Sequence, residues 1–390
     1  MKDHLALARS ILPEMAALRR ELHRHPELSG EEHQTLALIT SRLDALRIPY
    51  ITYENGGVCA MIGKGGRAIG LRGDIDALPV QEATGLSYAS EVPGVMHACG
   101  HDMHTAILLG AAQLFKSMEE ELPCMVKLFF QPAEETVGGA EVMVRGGCMA
   151  NPTVDSALGL HVDPTLPVGS VGFLPGKMNA AVINLDITVR GVGCHGAHPE
   201  QGVDPIVAGA QIINALQTIS SRQQAPTTPV IVTIGAIHGG TKRNIIPGEV
   251  NMQGTVRVLD MKTAEQVKAQ VRRVVENTAA AYGAQTDVVL TDDFPALTND
   301  AALTNRMAAE ARRLLGDENV VIFETPSMGA DDFAYFSNAA KGCYFNIGTT
   351  APGQPPQMLH SEFFAPHEDC MVTGLALYSA AVWNLAEDEA

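Results

Sequence analysis

The sequence predicts an α/β protein, a central mixed sheet flanked by helices, interrupted by an inserted α+β domain. Three observations carry that expectation. Short apolar stretches bounded by turn residues alternate with helical stretches through the first part of the chain and again toward its end. Between about Asn179 and Asp292 the texture changes to strict apolar/polar alternation. The chain has 390 residues, more than a single core usually serves, so two domains are expected.

In chain order, Leu5, Ala8, Leu12, Met15, Leu18 and Leu22 recur at helical spacing among charges and predict a first helix. GGVCAMIG (56–63) and RAIGLRG (67–73) read as strands, followed by a helix from Thr105 to Met118. MVKLFFQ (125–131) and SALGLHV (156–162) read as buried strands. VINLDITVR (182–190) puts Ile183, Leu185, Ile187 and Val189 on one face and Asn184, Asp186, Thr188 and Arg190 on the other, as a half-exposed sheet requires. A helix (Asp204–Ser221), two strands (Val230–His238 and Glu249–Val258), a helix (Lys262–Tyr282) and a strand (Gln285–Leu290) follow. The resulting β-α-β-β-α-β order is that of a ferredoxin-like domain. After it come a helix over 301–315, the strand VVIF, a helix around DDFAYF, the strand CYFNIGT and a final helix from about Pro366. A discontinuous outer domain, 1–178 with 293–390, thus surrounds an insertion of 179–292.

Hydrophobic residues make up 46% and charged residues 18%, which suits a chain with a sizeable core and neither disorder nor coiled coil. A net charge of −17 repels phosphate backbones and anionic lipid, so neither nucleic acid nor membrane is an expected partner. The longest nearly apolar stretch, GLALYSAAVWNLA, is too short to span a bilayer. The N-terminal stretch has no apolar core for export, which predicts a cytoplasmic protein. Seven scattered cysteines do not suggest a disulfide framework.

Polar groups gather where the expected strands end. Asp74 and Asp76 follow 67–73, Glu134 and Glu135 follow 125–131, His161 closes 156–161, and HACGHDMH (97–104) precedes its helix. In open α/β sheets ligands bind at the carboxyl ends of strands. Taken singly, each piece has a plain reading: a hydrogen-bonded structural histidine, aspartates capping turns, glutamates in a solvated first helical turn. Jointly, Cys, His and Glu are the borderline-soft ligands that zinc selects. Cys99 as a nucleophile with His101 or His104 as its base is an alternative, but it leaves the adjacent glutamates without a role. With a metal, those two can divide the work, one ligating and the other moving a proton from water to a leaving nitrogen.

Taken as a set and in this order, HRHPELS (23–29), HACGHDMHTAILLGAA, FFQPAEE, GLHV, GVGCHGAHP, GGTKRNIIPGEV with GTVR, and LHSEFF resemble the zinc-dependent N-acyl-amino-acid amidohydrolases. That group includes hippurate hydrolases, bacterial aminoacylases, carboxypeptidases and plant auxin-conjugate hydrolases. The resemblance implies a dimetal-peptidase-like catalytic domain. It implies that Cys99, His101, Glu135, His161 and His360 bind two divalent ions, zinc first, with Mn²⁺, Co²⁺ and Ni²⁺ open. Glu134 would be the general base and acid. The wider superfamily has His-x-Asp where this chain has Asp74 and Asp76, which leaves Asp76 to orient a ligand. His195 would stabilise the oxyanion, presented by a partner subunit, with His198 as its local competitor. Asn244 and Arg257 would anchor a substrate carboxylate, a task that suits the planar fork of arginine. The implied substrate is a small N-acyl amino acid, the implied assembly a homodimer or larger, and the insertion a lid and dimerisation domain. A carboxypeptidase or dipeptidase, or a non-catalytic metal or small-molecule binding protein, stands as the alternative. SMGADDFAYF (327–336) reads as a helix capped by Asp331, and Gly138-Gly139 and Gly239-Gly240 as turn formers.

Overall fold

The computed structural model describes residues 2–54, 56–136 and 138–386. Two compact units result, one holding the chain up to Gly176 with Thr298–Thr325 and everything from Asp331 onward, the other holding Lys177–Leu297 with Pro326–Ala330.

The first unit is built on an eight-stranded mixed sheet in the order 50–52, 58–62, 125–131, 68–74, 154–167, 341–350, 171–173, 320–322. The four central strands, Met125–Gln131, Ala68–Asp74, Val154–Pro167 and Lys341–Thr350, run parallel, and antiparallel partners flank them. Covered on both sides, these strands read as nearly continuous apolar runs. A Cβ at Gly159 would strike Phe333 of the helix Phe333–Ala339, whereas one at Gly73 would strike His104 and Leu108 of the helix His101–Ser117, so the two helices cover opposite faces. The helices His101–Ser117 and Cys370–Ala386 are buried along nearly their whole length, which explains their lack of a polar face.

The mixed sheet with flanking helices agrees with the sequence expectation, and the departures have local causes. The first helix is two, His4–Ser10 and Leu12–Arg24, because Pro13 cannot continue the first and suits the opening of the second. His33–Ala45 is a helix for which the sequence reading has no element. It has only a narrow apolar face, with Thr35, Ile39 and Leu43 buried. The final helix begins at Cys370 rather than Pro366.

The second unit has a four-stranded antiparallel sheet in the order Val230–Gly239, Glu249–Val258, Ala181–Arg190, Gln285–Phe294. Its core joins Ile183, Leu185, Ile187 and Val189 to Ile212 and Leu216 of the helix Pro205–Thr218 and to Val267, Val271 and Val275 of the helix Met261–Ala281. Each helix starts on an aspartate whose side chain accepts from backbone N–H groups, Asp204 and Asp260 respectively.

Candidate metal centre and active site

Four neighbouring segments at the carboxyl end of the parallel strands bring the candidate ligands of the first unit together. Gly100 makes one approach possible: it sits in the left-handed region at φ +83°, and a Cβ there would lie 2.6 Å from Val162. Cys99 and His101 stand on either side of it. Behind them, Asp102 in the first turn of the helix accepts from Arg19 at 2.6 Å and pairs with His23 at 2.8 Å, both on the helix Leu12–Arg24 and both buried.

The histidines of this region have three different hydrogen-bonding states. His101 Nδ1 donates to the backbone oxygen and Oδ1 of Asp76, each at 3.0 Å, which leaves Nε2 buried with no hydrogen-bond partner among the described residues. His161 Nδ1 donates to the Val162 carbonyl at 2.7 Å, and Nε2 lies 3.4 Å from Cys99 Sγ. With its proton on Nδ1, the neutral ring of each offers the Nε2 lone pair to a cation. His104 does not: its Nδ1 is held by Asp74 and its Nε2 accepts from the Val162 N–H at 3.0 Å. It braces the strand that carries His161. His97 is buried with neither ring nitrogen paired among the described residues, and burial drives its pKa down to about 4.

Glu134 and Glu135 sit on the turn after Met125–Gln131. The Glu135 N–H donates to Asp76 Oδ2 at 2.9 Å, and its Oε1 is buried without a hydrogen-bond partner among the described residues. His360, at φ +63° and half exposed, places Nε2 3.5 Å from that oxygen, and its N–H donates to the Ala98 carbonyl. Gly139 completes the turn, since a Cβ there would fall 2.0 Å from the Pro132 carbonyl oxygen. Two ligand triads follow, Cys99–His101–His161 and Cys99–Glu135–His360, each with its donor atoms within 4.8 Å of one another and both including Cys99. A thiol, imidazoles and a carboxylate around unpartnered buried atoms suit a divalent cation of zinc type.

Electrostatics agree with that fit. Burial, then the charges of Asp331 and Asp332, push the Glu134 carboxyl well above the usual range, and burial raises Glu135 as well. Burial also raises the Cys99 thiol well above its ordinary value. Carboxylates and a thiol held together out of water await a compensating positive charge.

Glu134 belongs to two further sets of close donors, one with His101 and Glu135 and an all-carboxylate one with Asp331 and Asp332. The counter-charge of the all-carboxylate set is already present. The fully buried Arg72 reaches Asp332 at 2.9 Å and Asp331 at 3.3 Å, and also pairs with Asp74. The N-cap residue of the helix Phe333–Ala339 is Asp332 rather than Asp331; Asp331 sits one residue earlier and accepts from the Phe333 N–H at 2.7 Å, while Asp332 accepts from Gln131 Nε2 and the Ala140 N–H. Arg72 belongs to none of the motifs above, although an arginine between Leu71 and Gly73 in an otherwise apolar strand is itself a signal of a buried pair.

Three further candidates lie in the second unit. His195, exposed, belongs to the two-residue strand Cys194–His195, which pairs with Ile245–Ile246, and the Gly196 N–H donates to the Asn244 carbonyl, so His195 and Asn244 lie close together at this two-stranded ribbon. His195 Nδ1 accepts from the Ala197 N–H at 3.0 Å, which leaves Nε2 as the protonated, donating nitrogen. His198 pairs loosely with Glu200 at 3.6 Å. Arg257 stands elsewhere. It lies near the far end of Glu249–Val258, roughly 25 Å of extended strand beyond Glu249, and donates to the Met328 carbonyl. Within one chain, Arg257 and the ribbon beside His195 and Asn244 do not converge.

The sequence profile of Peptidase family M20/M25/M40 matches residues 70–384. The chain is 41% identical to the N-acetyl-L-cysteine deacetylase of Bacillus subtilis, over 86% of this chain and 80% of that one. It is 38% identical to thermostable carboxypeptidase 1 of Saccharolobus solfataricus, over 85% of each. A solved Bacillus subtilis structure, described as a dinuclear metal binding peptidase, superposes with a TM-score of 0.84 at 33% identity, covering 97% of this chain and 99% of that one. All seven cysteines are free, and no helix among the described residues is long and apolar enough to cross a membrane.

Proposed function

Because the chain belongs to the M20/M25/M40 peptidase family, we propose that it is a two-metal amidohydrolase cleaving the amide between an acyl group and the nitrogen of an amino acid with a free carboxylate. The observation that carries the proposal is the pair of ligand triads sharing Cys99, with the Glu134 carboxylate beside them. Relatives named as an N-acyl amino acid deacetylase and as a carboxypeptidase support the substrate class, since both names denote cleavage of an amide next to an amino-acid carboxylate.

Cys99, His101, Glu135, His161 and His360 would hold the ions, with zinc the first expectation from the donor set. When bound, two such ions supply Lewis acidity toward the scissile carbonyl and a lowered pKa for the attacking water. Glu134 takes the water's proton on its carboxylate and returns it to the departing nitrogen. Asp76 keeps the His101 proton on Nδ1, so that Nε2 stays free to ligate. His195, with its Nε2–H directed outward, is assigned to the oxyanion. Arg257 and Asn244 are assigned to the substrate carboxylate. Their separation within one chain favours delivery of His195 and Asn244 by a second copy, hence a homodimer.

The test is a substrate panel run on protein loaded with defined amounts of Zn²⁺, Mn²⁺ or Co²⁺. Hydrolysis of N-acetyl amino acids or hippurate, abolished by a chelator and restored by metal, is expected. A strong preference for dipeptides with a free amino terminus would move the reading to a carboxypeptidase or dipeptidase. Activity that survives chelation would return Cys99 to the role of nucleophile.

A further inference from the structure

Glu32 stands at the N-cap position of the helix His33–Ala45, where a carboxylate ordinarily accepts from the first backbone N–H groups of its own helix. It does not do so. The side chain makes no capping bond, and the cap is supplied by Glu27, whose two oxygens accept from the N–H groups of Gln34 and Thr35 at 2.9 and 2.8 Å. Glu32 is only 2% exposed, and burying a carboxylate is costly unless it is hydrogen bonded. Its Oε1 accepts from the N–H of Ala133 at 2.8 Å, 101 positions along the chain.

Ala133 is one of four described non-glycine residues with positive φ, at +54°. A side chain in that region is strained, and such strain persists only where surrounding contacts hold it. Ala133 immediately precedes Glu134 and Glu135, and its left-handed turn starts the bend that carries both carboxylates. The same N-terminal tract makes a second contact here, as Ser29 Oγ donates to Asp76 Oδ2 at 2.7 Å. HPELSGEE thus reaches the site twice, once at Asp76 and once at the catalytic turn.

We propose that Glu32 is a positioning residue for the reaction, holding Ala133 in the left-handed conformation so that Glu134 and Glu135 project from one turn into the site. The inference rests on the roles proposed above for those two glutamates, and its test has an arm independent of them. In Glu32→Ala, hydrogen exchange of the peptide covering 131–136, measured on the full metal-free chain, accelerates roughly tenfold or more while the strand Ala68–Asp74 is unchanged. In metal-loaded protein the same variant lowers kcat roughly tenfold or more with KM little altered, a split that general loss of fold does not give. Glu32→Gln retains an acceptor oxygen for the Ala133 N–H and recovers most of both losses. In Glu32→Ala, Ala133→Gly restores part of kcat, because glycine adopts positive φ without strain. Unchanged exchange at 131–136 in Glu32→Ala overturns the proposal, as does a kcat loss that neither Gln at 32 nor Gly at 133 relieves. If the wild type cleaves no N-acyl amino acid, the functional reading fails while the exchange arm still decides the role of Glu32.

Discussion

Asp76 joins the two halves of the site: its Oδ1 accepts from His101 Nδ1 at 3.0 Å while its other oxygen accepts from the N–H of Glu135 at 2.9 Å. One carboxylate thereby sets the tautomer of one candidate ligand and the backbone position of another. Oriented partners of this kind are commonly worth one to two orders of magnitude in metal affinity.

Asp76→Ala is expected to weaken zinc or cobalt binding by roughly 10- to 100-fold, read by titration calorimetry or cobalt absorption. Asp76→Asn, which still offers an acceptor to His101, falls between. Affinity unchanged in both variants would remove Asp76 from the site.

Glu134→Gln tests the proton carrier proposed above at a residue outside the five assigned metal ligands. Turnover should fall by roughly 10²- to 10⁴-fold with metal content unchanged. Loss of metal in step with activity would instead make Glu134 a ligand.

Arg72→Met leaves Asp74, Asp331 and Asp332 buried without their shared cation. Removing one partner of a buried ionic network typically costs about 3–5 kcal/mol, so urea unfolding should show a loss of that order. A loss below about 1 kcal/mol would mean that water reaches the cluster.

Glu82 supplies a pH dependence apart from the metal ligands. Burial alone would raise its carboxyl, but bonds from His23, the Ser90 N–H and Thr84 outweigh it and bring the pKa to about 2. A depressed carboxylate contributes stability above its unfolded value near 4.5, lost as pH falls through the folded value. Between those limits Glu82→Gln should flatten the stability-pH curve by up to about 1.4 kcal/mol per pH unit. An unaltered acid limb would show that the pair with His23 is not formed in solution.

The texture of the elements was legible because periodicity survives in one dimension. The alternation at 182–190 predicts the buried face of Ile183, Leu185, Ile187 and Val189, and all four are buried. Asp204, Asp260 and Asp300 announce helix starts by local chemistry alone. The helix over 33–45 was harder to read, because its cap comes from Glu27, five positions before its N-cap residue, while Glu32 itself turns away.

The sequence by itself determined which chemistry is available: a thiol, imidazoles and paired glutamates placed where strands end, in a family-specific order. Only the tertiary structure decided which of those groups keep a free lone pair. His101 and His104 are three residues apart on one helix, yet Asp76 leaves His101 Nε2 open while Asp74 and the Val162 N–H occupy both nitrogens of His104. Likewise Glu32 reaches Ala133, and Arg72 reaches Asp332, across long stretches of chain. Hydrogen bonds act over about 3 Å, so the state of a polar group is set by spatial neighbours that sequence adjacency does not reveal.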